Sequence, residues 1–111
     1  MLPFDALWAE MQNKKLIRDK IPEILEGKGV KYVTHTAHDG EYWEMLKEKL
    51  TEEVKEFIEF QSEEELADIL EVIDAICEFR RINRDELESL KIDKRKKRGG
   101  FGKKLILDEI R

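Results

Sequence analysis

The sequence has 111 residues, of which 42% are charged and 41% hydrophobic, and its formal net charge is −5. A chain of this length forms one domain, so we expect a single unit over residues 1–111, whose small core favours self-association. The single Cys77 excludes an internal disulfide and a zinc site built from cysteines, and no apolar run reaches the ~20 residues that span a bilayer. Residues 1–13 lack the charge order of a signal peptide, so we expect a soluble, cytoplasmic protein with no membrane partner.

Helical periodicity dominates the chain after an extra N-terminal segment at residues 1–13. A short helix is predicted from Asp19 to Glu26. Val30–Thr36 and Lys103–Leu107 predict two strands that pair with each other, because a lone strand leaves its backbone groups unsatisfied. Three longer helices are delimited by capping residues and glycines, and they run over 39–60, 62–80 and 83–98. The predicted fold is mainly α, with an antiparallel helical hairpin, a third helix and a small β-ribbon.

The modest net charge is the sum of oppositely charged regions. Residues 41–78 carry fourteen acids and three lysines, a local net charge of −11. Residues 91–104 carry eight basic residues and one acid, and a second basic cluster near the start contains Lys14, Lys15, Arg18 and Lys20. A middle region this acidic is not expected to bind nucleic acid. It is suited to hard cations.

The predicted helix over 39–60 contains two acids that are not on its polar side. At about 100° per residue, one continuous apolar arc includes Leu46, Phe57 and Leu50. Glu53 lies inside this arc and Glu56 lies at its edge, whereas the other acids lie further round. A carboxylate against apolar side chains is costly unless it is paired. These two residues therefore indicate a partner of positive charge.

The predicted helix over 62–80 repeats this arrangement. Glu65 and Asp68 project within its apolar arc, while Glu64, Glu71 and Glu78 share a narrow polar strip. The arc spans about 240°, which is wider than one neighbouring helix covers. We therefore expect a homo-oligomer that assembles through helices, with a dimer as the first choice and a tetramer as the second.

The turn between these two helices is expected to bring the four acids together. At 1.5 Å per residue, Glu53 and Glu56 lie about 13 and 9 Å from Ser62, and Asp68 and Glu65 about 9 and 5 Å from it. Antiparallel packing at 8–10 Å then allows the carboxylates to converge. An all-oxygen site suits Mg²⁺ or Mn²⁺ and lacks the ligands that zinc, copper or iron prefer. The alternative for Glu65 is a capping box with Ser62, three residues earlier.

At these residues the sequence resembles the all-α NTP pyrophosphatase superfamily, which includes the MazG-like and phosphoribosyl-ATP pyrophosphohydrolase-like proteins. The core of the likeness is KLTEEVKEF at Lys49–Phe57 and EELADILEVIDAI at Glu64–Ile76. KLIRDKIPEIL at Lys15–Leu25 and KRGGF at Lys97–Phe101 are similar to one small branch of house-cleaning nucleotide pyrophosphatases. The resemblance covers roughly residues 15–107.

The resemblance implies a MazG-like domain that hydrolyses a nucleoside triphosphate to the monophosphate and pyrophosphate with Mg²⁺, usually as a dimer or tetramer. It places the metal ligands at Glu53, Glu56, Glu65 and Asp68. Glu52, next to Glu53, is the candidate general base or a residue that supports a metal ligand without binding the metal itself. The alternative is that Glu52 is an ordinary surface glutamate. The candidate substrate is a noncanonical nucleotide.

Basic residues are the candidates for binding the substrate phosphates, because phosphates keep negative charge beyond what magnesium neutralises. They are Lys15, Arg18, Lys20, Lys97 and Arg98. Two alternatives to the main function remain open. One keeps the chemistry and takes phosphoribosyl-ATP as substrate. The other is a non-catalytic helical interaction module whose basic C-terminal segment meets an acidic partner or nucleic acid.

Overall fold

The computed structural model describes residues 14–111, so the predicted extra segment at residues 1–13 lies outside the described residues. This part of the chain contains helices and no strand. Within it, no helix combines the length and the apolar character needed to cross a membrane. The helices are α1 (Ile21–Gly27), α2 (Asp39–Phe60), α3 (Glu63–Arg80) and α4 (Arg84–Arg98). Their bounds agree with the predicted helices to within two residues at each end.

Helix α2 ends in a tight reversal that sets up the hairpin. Gln61 adopts a left-handed conformation with φ of 56°, and its N–H donates a 2.7 Å hydrogen bond to the carbonyl of Phe57. Ser62 then returns to extended backbone as the N-cap of α3. Because only these two residues separate the helices, α2 and α3 must run antiparallel and lie side by side.

The predicted helical hairpin is present, and α2 against α3 is the principal helix contact in the described part of the chain. Leu46 of α2 is only 1% exposed, and Val72 and Cys77 of α3 are buried. Nearer the open end, Phe79 stacks on Trp43 with ring centroids 5.9 Å apart and meets the edge of Tyr42 at 5.2 Å. These contacts hold the two helices in one register.

Helix α4 is the predicted third helix, but it does not fold back on the hairpin. Asn83 caps it by accepting hydrogen bonds from the N–H groups of Asp85 and Glu86 at 2.8 and 3.2 Å, and Arg84 forms a 2.6 Å ion pair with Asp74 of α3. The radius of gyration is 17.9 Å, against about 13 Å for a compact domain of 100 residues. The longest dimension of 58 Å exceeds the ~33 Å length of the 22-residue α2, and every residue of α4 except Leu87 is exposed.

The predicted β-ribbon is wrong for the structure of residues 14–111. Val30–Thr36 and Lys103–Leu107 both have irregular backbone, and Val33 and Leu105 are 99% and 83% exposed. Strand propensity depends on a neighbouring strand and a buried face. Neither segment has these, so the β-branched composition alone does not produce a ladder.

Candidate metal centre

Four carboxylates converge across the hairpin. Glu53 and Glu56 of α2 and Glu65 and Asp68 of α3 each offer one oxygen, and these oxygens all lie within 4.8 Å of one another. We call this set the carboxylate cluster. The three glutamates are buried, with exposures of 6%, 7% and 2% in that order, and the aspartate is half-buried. The same four residues were selected from the sequence by their place on the two apolar arcs.

The helical spacing explains why these side chains meet. Each helix contributes two acids three residues apart, which places both on one face about one turn from each other. The short connection between the helices then fixes their levels along the hairpin. The cluster consequently lies near the closed end of the hairpin, and the ring contacts of Trp43 and Phe79 lie at the open end.

Glu53 is an incompletely satisfied member of the cluster. Its Oε1 lies 3.4 Å from the Nζ of Lys49. Its Oε2 is buried and has no hydrogen-bond partner among residues 14–111. A buried charged oxygen without a partner is strongly unfavourable, since it has lost its water and gained nothing in return. A cation bound among the four carboxylates would remove this cost.

Glu65 shows the same electrostatic strain. Its burial raises the pKa of the carboxyl group above the ordinary value, and the neighbouring charges of Asp68 and Glu53 raise it further. The capping box that was the alternative role for Glu65 lacks its serine half, because the Ser62 side chain makes no capping hydrogen bond. The Ser62 hydroxyl is instead buried without a partner in the described part of the chain.

Glu52 lies beside the carboxylate cluster and is not one of its members. Its two oxygens accept hydrogen bonds from Lys15 at 3.1 Å and from Lys49 at 3.3 Å. Lys49 therefore contacts both Glu52 and Glu53, although it was not among the site residues predicted from the sequence. Its position four residues before Glu53 was the available signal, because residues four apart on a helix are neighbours.

The predicted phosphate-binding residues fall into two groups. Lys15 and Arg18 lie at the acidic site, where Lys15 contacts Glu52 and Arg18 donates a 2.8 Å hydrogen bond to Asp68. The others are exposed: Lys20 is in the turn before α1, and Lys97 and Arg98 are in the last turn of α4. No ion pair or hydrogen bond found within residues 14–111 joins these three to the cluster.

An open cleft of about 280 Å³ adjoins Glu52. Its polar lining consists of three lysines and two glutamates, and its apolar lining of two side chains: Lys14, Lys15, Lys49, Glu48 and Glu52, with Leu16 and Met45. The lining carries one more positive than negative charge, and Lys49 connects the cleft to the carboxylate cluster through its ion pair with Glu53.

The ligand chemistry of the cluster matches a hard divalent cation. Mg²⁺ binds oxygen at about 2.0–2.1 Å in octahedral geometry, so oxygens on opposite sides of the ion are about 4.2 Å apart. The observed limit of 4.8 Å needs only a small contraction to reach that value. The cluster contains carboxylates alone, and such an all-oxygen set could hold a metal ion.

Comparison with known proteins gives a local likeness. No protein-family model matches the chain, and no solved structure matches it. A protein from Mycolicibacterium smegmatis described as uncharacterized is 48% identical over 42 residues, which are 38% of this chain and 43% of that protein. The aligned part is therefore less than half of this relative's length, and its description assigns no activity.

Proposed function

We propose that this chain is a cytoplasmic, Mg²⁺-dependent nucleoside triphosphate pyrophosphohydrolase that converts an NTP to the monophosphate and pyrophosphate. Mn²⁺ is the alternative metal, and noncanonical nucleotides are the proposed substrates. The observation that carries the proposal is the carboxylate cluster, which includes the buried Oε2 of Glu53 that has no hydrogen-bond partner among residues 14–111. The motifs around Lys49–Phe57 and Glu64–Ile76 support the choice of reaction, because they resemble those of the all-α NTP pyrophosphatases.

The proposed roles follow from position. Glu53, Glu56, Glu65 and Asp68 hold the metal, which supplies charge neutralisation at the phosphates and a more acidic bound water. Glu52 is the proposed general base or a residue that supports a metal ligand without binding the metal itself. Lys15 and Lys49 each donate one hydrogen bond to Glu52, which holds it beside the cluster and leaves lone pairs on its oxygens that can accept a proton.

The lysine-lined cleft is the proposed place for the distal phosphates. Phosphoryl transfer asks the protein mainly for positioning and for stabilisation of negative charge. Lys15 and Arg18 are already next to the cluster. Lys20, Lys97 and Arg98 remain proposed phosphate contacts, and they would have to approach from an exposed position on this chain or on a second copy.

We also propose a homodimer that forms through the hairpin, with a tetramer as the alternative. Val54 and Ile58 of α2 and Leu66 and Leu70 of α3 are 39%, 66%, 46% and 55% exposed, and we call them the apolar patch. Along the helix axes, Ile58 and Leu66 lie about 6 Å from the two-residue connection, and Val54 and Leu70 lie about 12 Å from it. Seen along the helix axes, the four side chains point about 120° away from the line that joins the two antiparallel helices. The opposite directions of the helices place all four on the same side of the hairpin. One continuous apolar face is suited to a second hairpin.

The direct test is incubation of the full chain with canonical and modified NTPs and Mg²⁺, followed by detection of pyrophosphate and monophosphate. We expect the two products in equal amounts, loss of turnover with EDTA, and recovery when Mg²⁺ or Mn²⁺ is restored. Release of orthophosphate instead, or no turnover of any nucleotide, contradicts the proposal. Phosphoribosyl-ATP belongs in the same panel, and its preferential turnover would select the alternative substrate.

A second candidate function is a helical interaction module that uses the basic C-terminal segment. The observation that favours it is the exposure of the apolar residues after α4, which range from 75% to 99% exposed: Phe101, Leu105, Ile106, Leu107 and Ile110. They follow the basic last turn of α4, which contains Arg95, Lys96, Lys97 and Arg98. This candidate would be supported if the chain turns over no nucleotide and binds an acidic partner through this segment.

A further inference from the structure

Arg18 reaches a member of the carboxylate cluster from a distant part of the chain. Its Nη2 donates a 2.8 Å hydrogen bond to Oδ1 of Asp68, fifty residues away in sequence. Arg18 lies immediately before the turn into α1, where its carbonyl accepts a 3.1 Å hydrogen bond from the N–H of Ile21. A backbone anchor thus holds the residue while its long side chain extends to the cluster.

The same segment carries a second cation to the other helix of the hairpin. Lys15 lies 3.1 Å from Glu52 of α2, whereas Arg18 contacts Asp68 of α3. The two cations therefore bind both sides of the acidic site. They differ in burial, because the Lys15 side chain is 13% exposed and the Arg18 side chain is 58% exposed. Arg18 is the one that can leave with little loss of packing.

Arg18 and a divalent cation would both neutralise negative charge in the carboxylate cluster. Four carboxylates within 4.8 Å repel one another, and a guanidinium group supplies positive charge that cannot be lost by deprotonation. Once a divalent cation neutralises the cluster, the attraction of Asp68 for the guanidinium falls. A planar guanidinium released at that place is suited to bind a phosphate through two hydrogen bonds.

We infer that Arg18 is an exchangeable counter-ion, which pairs with Asp68 in the metal-free protein and moves to the phosphates of the substrate when Mg²⁺ binds. The inference rests on the proposed metal centre and adds a competition between Arg18 and the metal. A fixed Arg18 that only orients Asp68 would have the opposite effect, because removal of an orienting group weakens metal binding.

Calorimetric titration of the full chain with Mg²⁺ alone tests this competition. Arg18→Gln is expected to bind Mg²⁺ about two- to fivefold more tightly than the natural sequence, which is the range expected for loss of one exposed ion pair. Lys31→Gln is the matched control, since it removes one exposed positive charge away from the cluster and is expected to leave the affinity within experimental error. Arg18→Lys keeps the charge and is expected to restore an affinity close to that of the natural sequence.

Titration with inorganic triphosphate at saturating Mg²⁺ tests the second half of the exchange. Here Arg18→Gln is expected to bind several-fold more weakly, while Lys31→Gln is unchanged. Circular dichroism and thermal unfolding of each variant establish that it is folded. Unchanged or weaker Mg²⁺ binding by Arg18→Gln overturns the exchange and leaves the metal centre standing. Absence of Mg²⁺ binding by the natural sequence overturns the metal centre and the exchange together.

Discussion

Lys49 lies one helical turn before Glu53, and its Nζ is 3.4 Å from Oε1 of that buried carboxylate. This single ion pair satisfies one oxygen of Glu53, and the other oxygen is buried without a hydrogen-bond partner in the described part of the chain. Packing between the two helices therefore holds the hairpin together despite unfavourable electrostatics at its closed end.

Replacing Glu53 distinguishes its proposed role in metal binding from a role in the stability of the fold. We expect Glu53→Gln to lower nucleotide turnover at least about 100-fold, because loss of a ligand removes several kcal/mol of metal-dependent stabilisation of the transition state. We expect the metal-free variant to unfold at the same or a higher temperature, because one of four mutually repelling charges is gone. Pyrophosphate release and thermal unfolding in EDTA measure the two effects.

The matched control for this variant is Glu59→Gln, which removes an exposed carboxylate from the same helix outside the cluster. It is expected to keep both turnover and unfolding temperature. Turnover by Glu53→Gln equal to that of the control would show that Glu53 is not a ligand. A large loss of stability in EDTA would show that its role is structural.

Glu65 predicts that stabilisation of the fold by the proposed metal depends on pH. Burial, and then the charge of Asp68, raise the pKa of this carboxyl group in the folded metal-free protein. A raised folded-state pKa stabilises the fold below the ordinary carboxyl pKa, and this contribution is lost as the pH rises through the raised value. Because Mg²⁺ and the proton compete for this site, the rise in unfolding temperature on adding Mg²⁺ should be larger at pH 8 than at pH 5.5.

Thermal unfolding is measured with Mg²⁺ and with EDTA at both pH values. Subtracting the unfolding temperature in EDTA from that in Mg²⁺ at each pH removes the contributions of groups distant from the metal. In Glu65→Gln the pH dependence of the difference should be reduced, because the competing proton site is absent. A metal effect that is equal at the two pH values in the natural sequence would contradict the expected competition.

The two N-caps should respond differently to alanine. Asn83 accepts hydrogen bonds from two backbone N–H groups at the start of α4, so Asn83→Ala should lower the free energy of unfolding by about 1 kcal/mol if α4 unfolds with the hairpin. The Ser62 hydroxyl makes no capping bond and is buried without a partner among residues 14–111. Ser62→Ala should therefore change the free energy by less than about 0.5 kcal/mol.

Urea unfolding followed by circular dichroism provides both values, and each variant serves as the control for the other. A cost for Ser62→Ala as large as that for Asn83→Ala would mean that the Ser62 hydroxyl does cap α3 in solution. In that case the capping-box explanation of Glu65 would regain its strength.

The apolar patch should control the oligomeric state. Ile58→Glu and Leu70→Glu each place a charge on a face that is exposed in one chain and buried in the proposed dimer. The monomer should tolerate either change within about 0.5 kcal/mol, but burial of an unpaired charge should disrupt the dimer. Light scattering at micromolar concentration should show a dimer for the natural sequence and a monomer for both variants.

Val33→Glu is the control for these variants, since Val33 is 99% exposed and lies outside the patch. It should remain dimeric. A natural sequence that is monomeric at micromolar concentration would contradict the proposed dimer directly. A dimer that persists in both patch variants would move the interface elsewhere, with the exposed segment after α4 as the next surface to test.

Local periodicity was sufficient to predict most of the helical architecture and the members of the cluster. The bounds of α2 and α3 follow from capping and helix-ending residues, and the places of Glu53 and Asp68 on the apolar arcs follow from the 3.6-residue repeat. These features depend on residues a few positions apart, which is the range that a sequence pattern describes. A two-residue connection then leaves little freedom in how the helices pair.

The tertiary structure decided the contacts that depend on the path of the chain between elements. It brings Arg18 to Asp68 and Lys15 to Glu52, but leaves Lys97 and Arg98 exposed at the end of a projecting α4. It also leaves the β-branched segment at 30–36 without the neighbour that a strand requires. Composition shows that these segments are basic or apolar, but the partners they meet depend on backbone direction and packing over tens of residues.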